Sequence, residues 1–212
     1  MIGADLWNEP KATASWGWNP ATDWNSAAER VGAAIQAVNP DWLIIVEGIG
    51  AQYWWGGNLQ GVAKHPVRLP VKNKLVYSAH EYCIELYPQP WFTNNVSYPG
   101  GPFPGNMRGV WNSHWGYIVR NKIAPVYIGE FGTSFKMEPY DSAWLPRLLK
   151  YMNGEFTADG VNDLQVGQQG LSWTWWSINP DQEAYNLFEN DWYTVVSQKM
   201  NYLKPYLAKP LA

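Results

Sequence analysis

The chain has 212 residues, of which 46% are hydrophobic and 16% charged, and its formal net charge is −3. This length and composition are typical of one folded globular domain and exclude a disordered chain. The lack of a basic excess argues against nucleic acid as a partner, and no apolar run is long enough to cross a membrane. The single cysteine, Cys83, excludes an internal disulfide and a multi-cysteine metal site.

Five apolar, β-rich runs recur along the chain and predict strands at residues 2–7, 42–47, 75–79, 126–129 and 171–176. Helical patterns lie between or after these runs, and strands that alternate with helices predict parallel βα units. The continuous apolar character of the runs is expected when both faces of a sheet are covered. Because a complete eight-fold barrel needs about 250 residues and eight units, the sequence predicts either an open sheet or part of a barrel.

Four helices are predicted. The first follows a capping residue, Asp23, carries an apolar stripe at helical spacing that ends at Val38, and stops at the Asn-Pro pair of residues 39–40. The other three are predicted at residues 106–121, at residues 141–153, and from about Asp191 onward. Pro146 is compatible with the third helix only near its first turn, because an interior proline removes a backbone hydrogen bond.

Polar and aromatic side chains cluster where the predicted strands end. Asn8 and Glu9 lie at the first strand end, Glu47 at the second, His80 and Tyr82 at the third, Glu130 at the fourth, and Trp176 at the fifth. In parallel α/β folds this edge of the sheet carries the active site. A single glutamate at such a position more often binds a helix end or loop amides than a substrate, and we favour such a structural role for Glu47. The convergence of the others favours a functional site.

Two carboxylates on one edge predict acid/base or glycosyl-transfer chemistry, and a metal site is the competing interpretation. The histidines disfavour it, because His65, His80 and His114 fall in different units and none is paired at a spacing typical of metal ligands. The sequence also has no glycine-rich phosphate loop and no GxSxG nucleophile motif. We therefore expect neither a metal nor another cofactor.

Aromatic residues are unusually frequent, with 15 tryptophans and 13 tyrosines. Several tryptophans lie in stretches rich in Gly, Pro and Asn that are typical of loops: Trp16, Trp18, Trp54, Trp55 and Trp91. A single loop tryptophan more often fills a packing gap than binds a ligand. Several flat aromatic faces beside polar groups nevertheless suit sugar rings, which have apolar faces and polar edges.

The segments IGADLWNEP, YSAHEY, PVYIGEFG and WTWWSINPD together resemble family 5 glycoside hydrolases, and more closely their bacterial secreted endo-β-1,4-glucanases; YWWGGNLQG at residues 53–61 adds to the match. The resemblance covers essentially the whole chain. It implies a single catalytic domain over residues 1–212 that forms part of a (β/α)8 TIM barrel, with five βα units that correspond to strands four to eight. The first three units have no counterpart here, and neither do the arginine and histidine that they carry in the family.

The resemblance also implies roles for individual residues. Glu9 matches the acid/base and Glu130 the nucleophile. The substrate-binding residues that it implies are Asn8 at the sugar 2-hydroxyl, His80 near the acid/base, Tyr82 on the nucleophile, Trp176 under the sugar before the cleaved bond, and Trp55 and Tyr87 along the cleft. The mechanism would be retaining, with carboxyls about 5–5.5 Å apart, and like-charge repulsion from Glu130 would raise the pKa of Glu9.

The implied partner is β-1,4-glucan, either cellulose or cellooligosaccharides, and the family resemblance implies an extracellular protein although this chain shows no signal peptide. β-Mannan or mixed-linkage glucan stays open as the substrate. A fragment that is weakly active or inactive and only binds glucan is the alternative function, and a domain unrelated to sugars would leave the motifs unexplained. Because five strands cannot close a small barrel, we expect self-association, most simply a dimer, or a need for the missing N-terminal half.

Overall fold

The computed structural model describes residues 1–11, 13–50, 55–93, 100–154, 170–180 and 185–208. Its sheet has five strands: β1 (Gly3–Asp5), β2 (Leu43–Glu47), β3 (Leu75–Tyr82), β4 (Val126–Gly132) and β5 (Ser172–Trp173). The strands follow one another across the sheet in chain order, and β2 pairs in parallel with both β1 and β3. The predicted α/β fold with a parallel five-stranded sheet is confirmed.

The strand ends differ from the predicted ones in a way that matters for the site. β3 extends to Tyr82 and β4 to Gly132, so that His80, Tyr82 and Glu130 belong to the strands themselves. Polar side chains interrupt the apolar pattern at these positions, while the backbone stays extended. In contrast, β1 has only three residues and β5 only two.

The first predicted helix is confirmed as α1 (Trp24–Val38), which Asp23 caps by accepting a hydrogen bond from the backbone N–H of Asn25. The second predicted helix consists of three consecutive pieces, α2 (Met107–Trp111), a π-helical turn (Asn112–Gly116) and α3 (Tyr117–Arg120). The last two are α4 (Tyr140–Met152) and α5 (Ser197–Leu203).

Two details of the helix predictions are wrong. Pro146 lies in the middle of α4 rather than in its first turn. The final helix begins at Ser197 rather than near Asp191, because the Asp191 carboxylate accepts hydrogen bonds from the backbone N–H groups of Tyr193 and Thr194 and closes a tight turn instead. Asp191 resembles a helix cap in the sequence since the same side chain can satisfy either structure.

The chain divides into two compact units. Unit 1 comprises Met1–Glu81 and Val110–Gly129, and unit 2 comprises Tyr82–Gly109 and Glu130–Ala212. The core of unit 1 is built from residues of the sheet and of the helices that cover it, among them Ala28, Ile44, Val46, Tyr77, Trp111, Trp115, Ile118 and Ile128. The core of unit 2 centres on α4 and includes Phe92, Phe131, Trp144, Leu145, Leu148 and Leu203.

The loop tryptophans separate into packing residues and exposed ones. Trp16 and Trp91 are buried, and the indole N–H of Trp16 donates to the backbone carbonyl of His65 at 2.8 Å. Trp18 is exposed, whereas Trp54 lies outside the described residues. No helix in the described part of the chain combines the length and hydrophobicity that crossing a membrane requires.

Candidate active site

Unit 1 contains a buried group of polar side chains centred on Glu9. One carboxylate oxygen of Glu9 lies 3.1 Å from Nδ1 of His80, near the end of β3, and the other lies 2.8 Å from Nζ of Lys11. The Glu9 side chain is only 10% exposed, although it follows a short strand, and Lys11 is largely exposed. The Glu9 carboxylate thus lies between the buried imidazole of His80 and the exposed ammonium of Lys11.

The pKa of Glu9 lies below its ordinary value. Burial raises it, but hydrogen bonds from His80 and Lys11, together with their positive charges, outweigh the effect of burial. The expectation of a raised Glu9 pKa is therefore wrong, because His80 and Lys11 place donors and positive charge beside the Glu9 carboxylate. A neighbouring cation stabilises the ionised carboxylate.

Glu47, the last residue of β2, lies in the same group. Its carboxylate accepts a hydrogen bond from the backbone N–H of Glu9 at 2.9 Å and lies 3.5 Å from Nε2 of His80. Burial raises the pKa of Glu47 above its ordinary value, which favours the neutral acid. Asn8, in contrast, is exposed at the surface of unit 1.

Unit 2 contains a second polar group, centred on Glu130 of β4. The hydroxyl of Tyr82 donates a hydrogen bond to the Glu130 carboxylate at 2.6 Å, a short distance that is typical of a charge-assisted bond. The ring of Tyr82 packs edge-on against Tyr185, with their centroids 5.8 Å apart. The predicted contact between Tyr82 and Glu130 is thus present in the structure.

The chain that follows Glu130 is held on two sides. The backbone N–H of Trp176 donates to the carbonyl of Phe131 at 2.9 Å, and a Cβ at Gly132 would lie 2.3 Å from the Trp176 carbonyl oxygen, so that only glycine permits this approach. On the other side, the Glu85 carboxylate accepts hydrogen bonds from the backbone N–H of Ser134 at 2.6 Å and from the Thr133 hydroxyl at 3.1 Å.

The predicted aromatic residues present different amounts of surface. In unit 2, Trp176 is 39% and Tyr87 37% exposed. In unit 1, Trp55 is half-buried and has a φ of 44°, an uncommon conformation for a bulky residue. The structure thus makes part of each predicted aromatic side chain accessible.

Within the described residues, two charged side chains were not predicted from the sequence: Lys11, which contacts Glu9, and Glu85, which binds Thr133 and Ser134 after β4. Lys11 comes directly after the Asn-Glu-Pro motif, and its proximity in sequence to Glu9 was a usable signal. Glu85 lies 48 and 49 residues from the hydroxyls that it binds, and no spacing rule predicts such a contact.

Comparison with known proteins identifies the family. The sequence profile described as Cellulase (glycosyl hydrolase family 5) matches residues 1–182. An endoglucanase of Paenibacillus polymyxa is 42% identical over 204 residues, covering 92% of this chain and 46% of that protein. The major extracellular endoglucanase of Xanthomonas campestris pv. campestris is 35% identical over 215 residues, covering 96% of this chain and 40% of that protein.

Solved structures agree with this assignment. An endocellulase from Pyrococcus horikoshii in complex with cellotetraose superposes with a TM-score of 0.80 at 37% identity, covering 98% of this chain and 58% of that chain. The catalytic domain of the major Xanthomonas endoglucanase gives a TM-score of 0.77 at 35% identity, covering 96% and 56%. This chain spans about half the length of these relatives. It belongs to the cellulases of glycosyl hydrolase family 5 and corresponds to part of their TIM barrel.

Proposed function

We propose that this chain is a cellulase-like glycoside hydrolase that cleaves β-1,4-glucan at internal bonds by a retaining double displacement, with Glu9 as acid/base and Glu130 as nucleophile. The observation that carries the proposal is that both glutamates bind side chains of one strand, β3: His80 contacts Glu9, and Tyr82 contacts Glu130. Residues two apart in a strand project from the same face. We therefore expect the two carboxylates to serve one substrate.

The proposed reaction has two steps. Glu130 attacks the anomeric carbon, the bond to the leaving oxygen breaks, and Glu9 transfers its proton to that oxygen. Water then attacks the same carbon, Glu9 accepts a proton from the water, and the bond to Glu130 breaks. His80 orients the Glu9 carboxyl, and the Tyr82 hydrogen bond orients the Glu130 carboxylate for attack.

The remaining predicted residues bind sugar in this proposal. Asn8 donates to the 2-hydroxyl, a contact that strengthens in an oxocarbenium-like transition state. Trp55, Tyr87 and Trp176 supply aromatic faces for the apolar faces of glucose units. We further propose that the protein acts outside the cell, as the name of its extracellular Xanthomonas relative suggests.

Hydrolysis of soluble cellooligosaccharides, followed by proton NMR of the first products, tests the proposed reaction. A retaining enzyme releases the β-anomer before mutarotation, whereas first release of the α-anomer would refute the double displacement. Parallel assays on β-mannan and mixed-linkage glucan decide the substrate class, and we expect the highest kcat/KM on cellooligosaccharides.

A glucan-binding protein without turnover is the second candidate. It is kept because the match covers only 46% of the Paenibacillus endoglucanase. Calorimetric titration with cellotetraose separates the two functions. Binding of cellotetraose to a protein that leaves it intact for days would establish the binder and reject the hydrolase.

We expect Lys11→Met to shift the pH profile of kcat/KM. The Lys11 ammonium lowers the pKa of Glu9, so its removal raises that pKa and keeps the acid protonated to a higher pH. The alkaline limb of the profile should therefore move to higher pH.

Lys72→Met is the matched control, because Lys72 is an exposed lysine of the same unit. Both variants lose one positive charge, so a change caused by net charge alone would appear in both. An alkaline limb that stays in place, or moves downward, in Lys11→Met would show that the ion pair does not control the acid.

Alanine substitution of Trp176 or Trp55 should weaken binding of cellotetraose without unfolding the protein. Loss of one stacked ring costs about 1 kcal/mol, or roughly fivefold in Kd. Trp18→Ala is the control, since Trp18 is an exposed loop tryptophan that we do not place in the cleft. Cooperative melting by circular dichroism checks the fold, and a variant that no longer melts cooperatively would identify its tryptophan as a core residue.

An exposed apolar surface on unit 1 supports the proposal of self-association. Strand β1 lies at one edge of the sheet, and Met1, Ile2 and Val38 are more than 80% exposed. Helix α1 carries a groove of about 680 Å³, lined by Arg30, Val31, Ala34, Ile35, Val38, Asn39 and Trp42. Sheet edges beside apolar surface recruit a partner, and we propose a second copy of this chain as that partner.

We expect the isolated chain to form a dimer that dissociates on dilution, measured by light scattering across a concentration series. Val38→Glu should raise the dimer Kd about tenfold or more, since it introduces a charge into the groove. Leu207→Glu, at an exposed leucine of unit 2, is the control. A monomer at every concentration, with cooperative unfolding, would contradict self-association.

A further inference from the structure

The carboxyl of Glu47 is almost completely buried beside the proposed acid/base. Glu47 ends β2, and only 1% of its surface is exposed. A carboxyl buried to this extent is strongly destabilising unless both oxygens have partners. The partners of the two oxygens therefore indicate the role of the Glu47 carboxyl.

The first oxygen holds the backbone of Glu9. Glu9 has a φ of 44°, in the left-handed region that costs a non-glycine residue about 1–2 kcal/mol. Its N–H donates to Oε2 of Glu47 at 2.9 Å. On the far side of the turn, the carbonyl of Pro10 accepts from the N–H of Gly50 at 2.6 Å. Glu47 at the end of β2 and Gly50 just after the strand thus hold the strained turn at Glu9 and at Pro10.

The second oxygen faces the side chain that holds the Glu9 carboxylate. Oε1 of Glu47 lies 3.5 Å from Nε2 of His80, and Nδ1 of the same ring lies 3.1 Å from Oε1 of Glu9. The Glu47 carboxyl therefore contacts the backbone of Glu9 directly, and it is linked to the Glu9 carboxylate through the His80 imidazole. A change at Glu47 would disturb both the backbone and the carboxylate of Glu9.

The surroundings of Glu47 restrict its own position. The indole N–H of Trp24 donates to its backbone carbonyl at 2.8 Å. Gly56 has a φ of 70°, and a Cβ there would lie 2.4 Å from Oε2 of Glu47, so the loop after β2 leaves space for the carboxyl only because this residue is glycine. A side chain held in this way can orient its partners rather than adapt to them.

We infer that Glu47 is a positioning residue for the acid/base: its carboxyl fixes the left-handed turn at Glu9 and the His80 ring, and so aims the Glu9 carboxyl at the leaving oxygen. The inference rests on the proposed function of Glu9. It replaces the interpretation of Glu47 as a residue that only binds a loop amide, since the amide that it binds belongs to the proposed acid/base.

The test compares Glu47→Leu, which removes both contacts, with Glu47→Gln, whose amide oxygen can still accept from the Glu9 N–H. Glu47→Asp, one methylene shorter, serves if the leucine variant does not fold. Glu81→Gln is the control, because Glu81 is another buried glutamate of unit 1 and binds the indoles of Trp111 and Trp115.

Each variant is assayed on phenyl and 2,4-dinitrophenyl β-cellobioside. Dinitrophenolate leaves without a proton, so an acid that is misplaced lowers kcat/KM, which reports the first step, only for the phenyl substrate. We expect Glu47→Leu, or Glu47→Asp, to lower kcat/KM about 100-fold for the phenyl substrate and less than about fivefold for the dinitrophenyl one. Glu47→Gln should stay within about fivefold of wild type on both substrates, and Glu81→Gln should show no dependence on the leaving group.

Hydrogen exchange of the Glu9 amide, measured by NMR, provides a readout that does not depend on turnover. The amide should be protected in the wild type and in the glutamine variants, and unprotected in Glu47→Leu or Glu47→Asp. Equal losses on both substrates, or unchanged protection of the amide, would overturn the inference while leaving the proposed function intact. A wild-type protein that cleaves neither substrate would instead reject the proposed function, and loss of amide protection would still show whether Glu47 holds the turn.

Discussion

Replacement of Glu130 by glycine should abolish hydrolysis of cellooligosaccharides, with kcat lowered about 10⁴-fold or more. The side chain forms the covalent bond to the anomeric carbon in the proposed mechanism, and no neighbour can replace it. The measurement is the initial rate of cellotetraose cleavage. Because Glu130 lies on β4 and is only half-buried, we expect the variant to fold.

Azide distinguishes loss of the nucleophile from loss of the fold. Azide enters the space left by the Glu130 carboxyl and attacks the anomeric carbon directly, so that 2,4-dinitrophenyl β-cellobioside should yield the inverted α-glycosyl azide. Glu138→Gln, at an exposed glutamate of unit 2, should keep wild-type rates. Appreciable cellotetraose turnover by Glu130→Gly without azide would remove Glu130 from the nucleophile role.

Replacement of Glu9 by alanine should have a large effect that depends on the leaving group. We expect kcat/KM to fall about 10²–10⁴-fold for phenyl β-cellobioside, since its leaving oxygen needs a proton. For the dinitrophenyl substrate kcat/KM should change little, whereas kcat should fall because hydrolysis of the glycosyl-enzyme loses its base. Steady-state rates on both substrates provide the measurement.

The azide product again assigns the role. In Glu9→Ala, azide attacks the glycosyl-enzyme after Glu130 has reacted, so the product should be the β-glycosyl azide with net retention. Opposite azide anomers from the two glutamate variants would be hard to explain by misfolding. Equal losses of kcat/KM on both substrates in Glu9→Ala would instead assign Glu9 a structural role.

The elements that could be predicted from sequence are those whose signals are local. Asp23 and the apolar stripe after it specify α1, because a cap and a helical period act within a few residues. The apolar runs likewise predicted the strands. The short strand β5 and the turn at Asp191 were harder to predict, since tryptophans fit strands and cores equally well and one aspartate can cap a helix or a turn.

The site was predictable in its residue types and not in its supporting contacts. The motifs brought Glu9, His80, Tyr82 and Glu130 to attention, and the contacts of His80 with Glu9 and of Tyr82 with Glu130 are present. The role of Glu47 was not visible, because it depends on the strained turn at Glu9, and backbone strain at a non-glycine residue leaves no mark in a sequence.

The electrostatics of the site differ from the sequence-based expectation for a physical reason. A second carboxylate raises a neighbour's pKa only where cations do not outweigh it, and both Lys11 and His80 contact Glu9. Catalysis as proposed requires a protonated Glu9 when substrate is bound. We therefore expect bound substrate to weaken the contact with Lys11, whose side chain is largely exposed.

Covalent trapping of the nucleophile tests the central claim most directly. The protein is incubated with 2,4-dinitrophenyl 2-deoxy-2-fluoro-β-cellobioside, which forms the glycosyl-enzyme and hydrolyses slowly because fluorine destabilises the oxocarbenium-like transition state. Mass spectrometry of the intact protein and of its peptides then locates the label. We predict one added fluorocellobiosyl group per chain, on Glu130, and no label in Glu130→Gly. A label on another residue, or an unlabelled protein that nevertheless hydrolyses cellotetraose, would contradict the account.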